Sequence, residues 1–288
     1  MRENGNWLAL ALQRDWFGKK CMRTKIVGIL NITPDSFSDG GKFSSLENAV
    51  LQLKKMIDEG VDIIDIGAES TRPNATPISA QEEWSRLEKI LPTLIFEIKK
   101  HPQIKSSIDS YHFENIKKSH QLGIDIVNDV SGLVDEKIID FVAQNNITTI
   151  LMHNLAIHAN RDLIVNKNLD INKEIIRFAQ NKIAALGEKG IKKSQLIFDP
   201  GIGFAKDASQ SIGILKNINS YRVLGLPIYV GHSKKRFLND LDIEGDLAKK
   251  TLAVSKYLID CDVDFIRVHD IADHKKLFSQ PKNNSSPL

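Results

Sequence analysis

The sequence predicts an α/β fold: eight strand–helix units closing into a single-domain (β/α)8 TIM barrel. Three observations carry that prediction. Short apolar runs recur at 25–30, 61–66, 104–108, 124–127, 147–152, 195–198, 227–230 and 264–268. The segments between them show helical periodicity. Polar side chains able to do chemistry collect where each run ends, which is where such a barrel builds its site. The runs are near-continuous rather than alternating, as strands buried on both faces of a parallel sheet should be. Eight such units fit a chain of 288 residues as one domain. A doubly wound open sheet would also alternate strand and helix, but no GxGxxG follows the first run.

In chain order, residues 1–22 read as an extension outside the barrel. Trp7 to Leu12 is apolar, but Gln13-Arg14-Asp15 interrupts it and no small-residue cleavage site follows, so a signal peptide is not expected. The barrel is expected over 23–280, with 281–288 a polar tail. Leu46, Ala49, Val50, Leu53 and Ile57 share one helical face, preceded by the cap candidates Ser44 and Ser45. Trp84, Leu87, Leu91, Leu94 and Ile98 form the next stripe. Ile116 with Leu122, then Ile138, Ile139 and Val142, then Ile175, Phe178, Ile183 and Leu186 continue the series. A late apolar helix surrounds Leu252, Val254, Leu258 and Ile259.

Composition excludes several classes. A net charge of +3, with basic and acidic residues interleaved, gives no footprint for nucleic acid or a membrane surface. Cys21 and Cys261 lack CxxC spacing, which argues against a zinc site or disulfide framework and fits a cytoplasmic protein. No apolar run reaches membrane-spanning length.

Chemistry therefore has to come from the strand ends. The first run ends in Gly28-Ile-Leu-Asn31-Ile-Thr33-Pro34-Asp35-Ser36-Phe37-Ser38-Asp39-Gly40-Gly41. Pro34 and the glycine pair rule out a regular element there. Asn31, with Asp35 or Asp39 nearby, offers few but hard oxygen ligands, which suits Mg²⁺ shared with a phosphorylated substrate. Later ends carry Glu69-Ser70-Thr71-Arg72-Pro73, Asp109-Ser110, Asn128-Asp129, His153-Asn154 and Asp199-Pro200-Gly201. Asp109, Asn128 and Asp199 together could face a flat heterocycle with several N–H groups. Ser233-Lys234-Lys235-Arg236 and Arg267-Val268-His269 supply cations suited to a phosphate or pyrophosphate.

The segments 28–41, Gly67-Ala-Glu-Ser-Thr-Arg-Pro73, Ser107-Ile-Asp109, Asn128-Asp-Val-Ser-Gly132, Asp199-Pro-Gly-Ile-Gly-Phe204 and Arg267-Val-His269 closely resemble, in order and spacing, those of the dihydropteroate synthase family. The resemblance runs from about residue 25 to about residue 278. It implies condensation of 6-hydroxymethyl-7,8-dihydropterin diphosphate with p-aminobenzoate, giving 7,8-dihydropteroate and pyrophosphate in folate biosynthesis, by a Mg²⁺-dependent homodimer. It further implies Asp109, Asn128, Asp199 and Lys235 as pterin contacts and Asn31 as the Mg²⁺ ligand. Thr71, Arg267 and His269 then correspond to the diphosphate side, and Val268 between the last two is a further substrate-binding position. Phe37, Arg72 and Pro73 match the loops around p-aminobenzoate, with Asp35 and Asp39 carried on the first. The chain departs from the family at Asn74 and Ala205, where glycine is usual, at Lys234, and after His153. Two other readings are a non-catalytic pterin- or partner-binding paralogue and a pterin-dependent methyltransferase. The methyltransferases lack the two loops present here.

Overall fold

The computed structural model describes residues 23–33, 45–70, 75–157 and 164–282. Its first half runs β1 (Lys25–Asn31), α1 (Ser45–Asp58), β2 (Ile63–Gly67), α2 (Ala80–Leu87), α3 (Leu91–Lys99), β3 (Lys105–Asp109), α4 (Phe113–Leu122), β4 (Ile126–Asp129) and α5 (Glu136–Gln144). The second half runs β5 (Thr148–Met152), α6 (Ile171–Glu188), β6 (Leu196–Asp199), α7 (Ala208–Lys216), β7 (Tyr229–Val230), α8 (Leu247–Asp260), β8 (Phe265–Val268) and α9 (Ile271–Leu277). All strand pairs are parallel, in the order β6-β5-β4-β3-β2-β1-β8-β7. The ends of that order meet through a parallel bridge from Phe198 to Ile228, where the Phe198 N–H donates to the Pro227 carbonyl at 2.9 Å. The sheet is thus a barrel, as the sequence predicts.

The strands begin later than the apolar runs, for a physical reason. Val61, Ile124 and Ile147 are not strand residues; their N–H groups reach back to Met56, Ser119 and Val142 at 3.1, 3.2 and 3.1 Å. The residues before them, Gly60, Gly123 and Asn146, have φ of 85°, 99° and 52°. That is the left-handed helix stop, with the following apolar residue folded back on the helix. The stripe from Trp84 to Ile98 is likewise two helices. Pro92, without an N–H, opens α3 after a break at Glu88–Ile90.

Two apolar layers result. Between strands and helices lies one continuous core that includes Ile64, Ile66, Val127, Leu151, Phe198 and Val268. Inside the barrel, Val27, Ile63, Ile126, Ile150, Ile197, Tyr229 and Phe265 form a second core, one residue from each strand except β3. This plug closes the lower barrel, so only the C-terminal strand ends open onto solvent. Val254 and Leu258 of α8 belong to the outer core, packed on their own barrel.

Candidate active site at the barrel mouth

Side-chain direction alternates along a strand. Residues two beyond the plug therefore point into the lumen above it: Asp65 on β2, Asn128 on β4, Asp199 on β6 and Arg267 on β8. The packing confirms the alternation for β8, because Phe265 lies in the plug and Val268 in the outer core. Val268, carried into the site by resemblance, thus turns its side chain to the helices, and only its backbone is available to the mouth.

Arg267 sits between two carboxylates. Its Nε donates to Asp65 Oδ2 and its Nη2 to Asp109 Oδ2, both at 2.7 Å. Asn128 Nδ2 donates to the same Asp65 oxygen at 3.0 Å. Burial pushes the Asp109 carboxyl up to about 7, opposed by the guanidinium beside it.

The opposite wall holds Asp199 and Lys235, with Lys206 nearby at the end of β5. Asp199 Oδ1 accepts the Gly201 N–H at 2.7 Å, so the carboxylate caps its own turn. Burial raises its pKa, and Lys235 is the leading opposing charge. Lys235 Nζ donates to the Ile202 carbonyl and lies 4.8 Å from the Phe204 ring centroid. Burial pushes that ammonium down to about 8. Lys206, held at the end of β5, is pushed down by burial to about 7. Three carboxylates, Asp65, Asp109 and Asp199, thus share the lumen with two cations, Arg267 and Lys235, while Lys206, seated on His153, adds positive charge near Asp199. Compensation of this kind lets so many charges lie in a low-dielectric interior.

Higher on β8's side, His269 Nδ1 lies 2.9 Å from Ser233 Oγ. Lys234 does not join the mouth, because its ammonium pairs with Asp270 at 2.9 Å. The cationic run 233–236 is therefore divided: Lys235 faces the lumen, while Lys234 and Arg236 are exposed. Asn31 is the last residue of β1, half-buried, and in the same alternation as Val27. Among the described residues no three His, Cys, Asp or Glu side chains gather as a metal cage. Asp35, Phe37, Asp39, Thr71, Arg72 and Pro73 lie outside the described residues.

Asp109, Asn128, Asp199, Lys235 and Arg267 are thus brought to one mouth. Sequence reasoning missed Asp65 and Lys206. Asp65 had a signal, since a carboxylate inside the run Ile63-Ile-Asp-Ile66 is rarely buried without a partner. Lys206 had none beyond its place after the glycine-rich turn. Sequence reasoning also grouped Arg267 with His269, whereas the structure commits its guanidinium to Asp65 and Asp109.

Comparison with known proteins agrees with this geometry. The model of the family described as pterin binding enzyme matches residues 27–269. A dihydropteroate synthase of Clostridium beijerinckii is 37% identical over 262 residues, covering 88% of this chain and 91% of that protein. One from Bacillus subtilis is 38% identical, covering 86% and 84%. The crystal structure of dihydropteroate synthase from Anaplasma phagocytophilum with bound 6-hydroxymethylpterin-monophosphate superposes with a TM-score of 0.80 at 33% identity, covering 88% of this chain and 96% of that one. The chain belongs to the dihydropteroate synthase family of pterin-binding enzymes.

Proposed function

We propose that this protein joins 6-hydroxymethyl-7,8-dihydropterin diphosphate to p-aminobenzoate, releasing pyrophosphate. The observation that carries this reading is the convergence of Asp109, Asn128, Asp199, Lys235 and Arg267 at one barrel mouth. Carboxylate and amide oxygens accept the N–H groups of the pterin's pyrimidine edge, and Lys235 and Arg267 balance the buried acids. The methylene C–O bond to the diphosphate breaks, and the electron pair leaves with pyrophosphate. The aniline nitrogen then forms the new C–N bond and loses a proton. Because aniline is neutral at pH 7, the protein's task is position and exclusion of water rather than strong base catalysis.

On the diphosphate side the residues are His269, fixed by Ser233, and by resemblance Thr71. Asn31 would hold Mg²⁺, and one amide oxygen at a strand end suits an ion whose other ligands come from phosphate and water. When bound, Mg²⁺ supplies charge neutralisation for the leaving diphosphate. Resemblance alone assigns p-aminobenzoate to Phe37, Arg72 and Pro73, with Asp35 and Asp39 on the same loop. Among the described residues no helix is long and apolar enough to cross a membrane. We place the enzyme in the cytoplasm as a homodimer whose interface uses faces other than Val254 and Leu258.

The test is pyrophosphate release on mixing protein, pterin diphosphate and Mg²⁺ with and without p-aminobenzoate. Release that depends on p-aminobenzoate, with dihydropteroate as product, is the expected result. Pterin binding with no such product would identify a non-catalytic paralogue.

A further inference from the structure

We propose that Asp65 is a positioning residue: it decides which atom of Asn128 faces the mouth, and so restricts that wall to a ligand presenting an N–H. The proposal rests on the reading of the mouth as a pterin site.

Asp65 is 0% exposed, so it touches no ligand itself. Its Oδ2 accepts from Arg267 Nε at 2.7 Å and from Asn128 Nδ2 at 3.0 Å. An ionised carboxylate only accepts, so the Asn128 amide must turn its NH₂ group toward it. The amide is planar, and Oδ1 then points the other way. Asn128 is 4% exposed, and its Oδ1 takes no hydrogen bond from a described residue, nor is it sealed from solvent. An amide without such an anchor can present either its oxygen or its nitrogen at almost the same place. With Asp65 in position, the mouth is offered an acceptor.

The same carboxylate orients the guanidinium. Arg267 spends Nε on Asp65 and Nη2 on Asp109, an arrangement that uses the planar fork and ties β8 to β2 and β3. Asp109 is itself an acceptor and pairs in register with Asn128 on the adjacent strand. Asp65 thereby makes two neighbouring strand ends both hydrogen-bond acceptors. A heterocycle edge with two adjacent N–H groups matches that pair, and an edge presenting a carbonyl there meets repulsion. The simpler alternative is a stabilising buried ion pair. Buried pairs are weak sources of stability, since desolvation offsets attraction.

Two variants separate the roles. Asp65→Asn keeps an oxygen between the two donors, removes the charge and puts an NH₂ group where the unpartnered Oδ1 stood. Asp65→Leu removes the acceptor. The probe is 6-hydroxymethylpterin monophosphate titrated by calorimetry, with melting temperatures measured in parallel. Asp65→Leu should weaken binding by about tenfold to a hundredfold, the usual effect of a lost charged hydrogen bond. Asp65→Asn should recover most of that loss. In the wild type, the Asn128 side-chain NH₂ signals, identified by their disappearance in Asn128→Asp, should be protected from exchange without any ligand. Equal losses in both variants that track melting temperature would overturn the proposal, as would wild-type affinity in Asp65→Leu. If neither variant folds, the wild-type amide decides, and exchange at the solvent rate overturns the assignment. Wild-type protein that bound no pterin would remove the functional reading, and the amide measurement would still decide the role of Asp65.

Discussion

Nδ1 of His153 lies 2.9 Å from Nζ of Lys206, and that contact sets the protonation of the ring. The ammonium also donates to the carbonyls of His153 at 3.2 Å and Phe204 at 2.8 Å, so its three N–H groups meet three acceptors. Nδ1 can accept only in the neutral ring with its proton on Nε2. Burial, with Lys206 beside it, pushes the histidine down to about 3. The pair ties the end of β5 to the turn after β6 that carries Gly201, Ile202 and Gly203.

Acid stability should report this histidine. Held neutral when folded, it binds a proton more readily when unfolded, where its pKa is near 6.5. Between pH 6.5 and about 3 the unfolded state therefore holds more protons, and stability falls as pH falls. The contribution approaches one proton, or about 1.4 kcal/mol per pH unit. His153→Phe should retain the edge-on packing against Phe178 at 4.8 Å. It should lose stability at pH 7, because Lys206 loses an acceptor, yet show a flatter decline below pH 6.5. Urea unfolding from pH 4 to 7 measures both, and an unchanged slope would refute the assignment.

Lys235 should set an alkaline limb. Burial pushes it down to about 8, so its charge disappears as pH rises through that value. If the charged form binds the pterin, kcat/KM for pterin diphosphate falls by one proton's dependence above about pH 8. Lys235→Arg should lower the plateau and remove the limb, since guanidinium stays protonated. Lys235→Ala and Asp199→Ala should each abolish turnover through lost pterin affinity. Calorimetry showing intact affinity in either alanine variant would contradict that role.

Gly201→Ala should be among the most damaging single changes in the β6 turn. Its φ is 68°, and a Cβ there would sit 2.0 Å from the His153 carbonyl oxygen. Left-handed backbone and the clash together should cost roughly 3 kcal/mol or more. A melting temperature within a few degrees of wild type would show that the turn can yield.

The departure at Ala205 has a visible consequence. Ala205 has φ of 51°, the left-handed region in which glycine is at ease. Ala205→Gly releases about 1–2 kcal/mol of backbone strain and loses one buried methyl, worth about 0.8 kcal/mol. The variant should be as stable as wild type or up to about 1 kcal/mol more so. A clear loss of stability would mean that methyl packing outweighs the backbone.

The barrel, its eight strand–helix units and most of the polar strand ends are legible in the chain. Those features are written locally: apolar runs, helical stripes, and turns punctuated by Gly60, Gly123 and Gly201. Strand starts were misread at Val61, Ile124 and Ile147, because an apolar residue closing a helix looks like the first residue of a strand. Which charges meet follows from the folded barrel alone. Asp65 and Arg267 are 202 residues apart in the chain and 2.7 Å apart in the barrel. No local pattern encodes that distance, because it is the parallel pairing of the last strand, β8, with the first, β1, that brings Arg267 within reach of β2. Burial then fixed the partners: a carboxylate sealed from water must find a cation or an amide, and within this lumen Asp65 finds both.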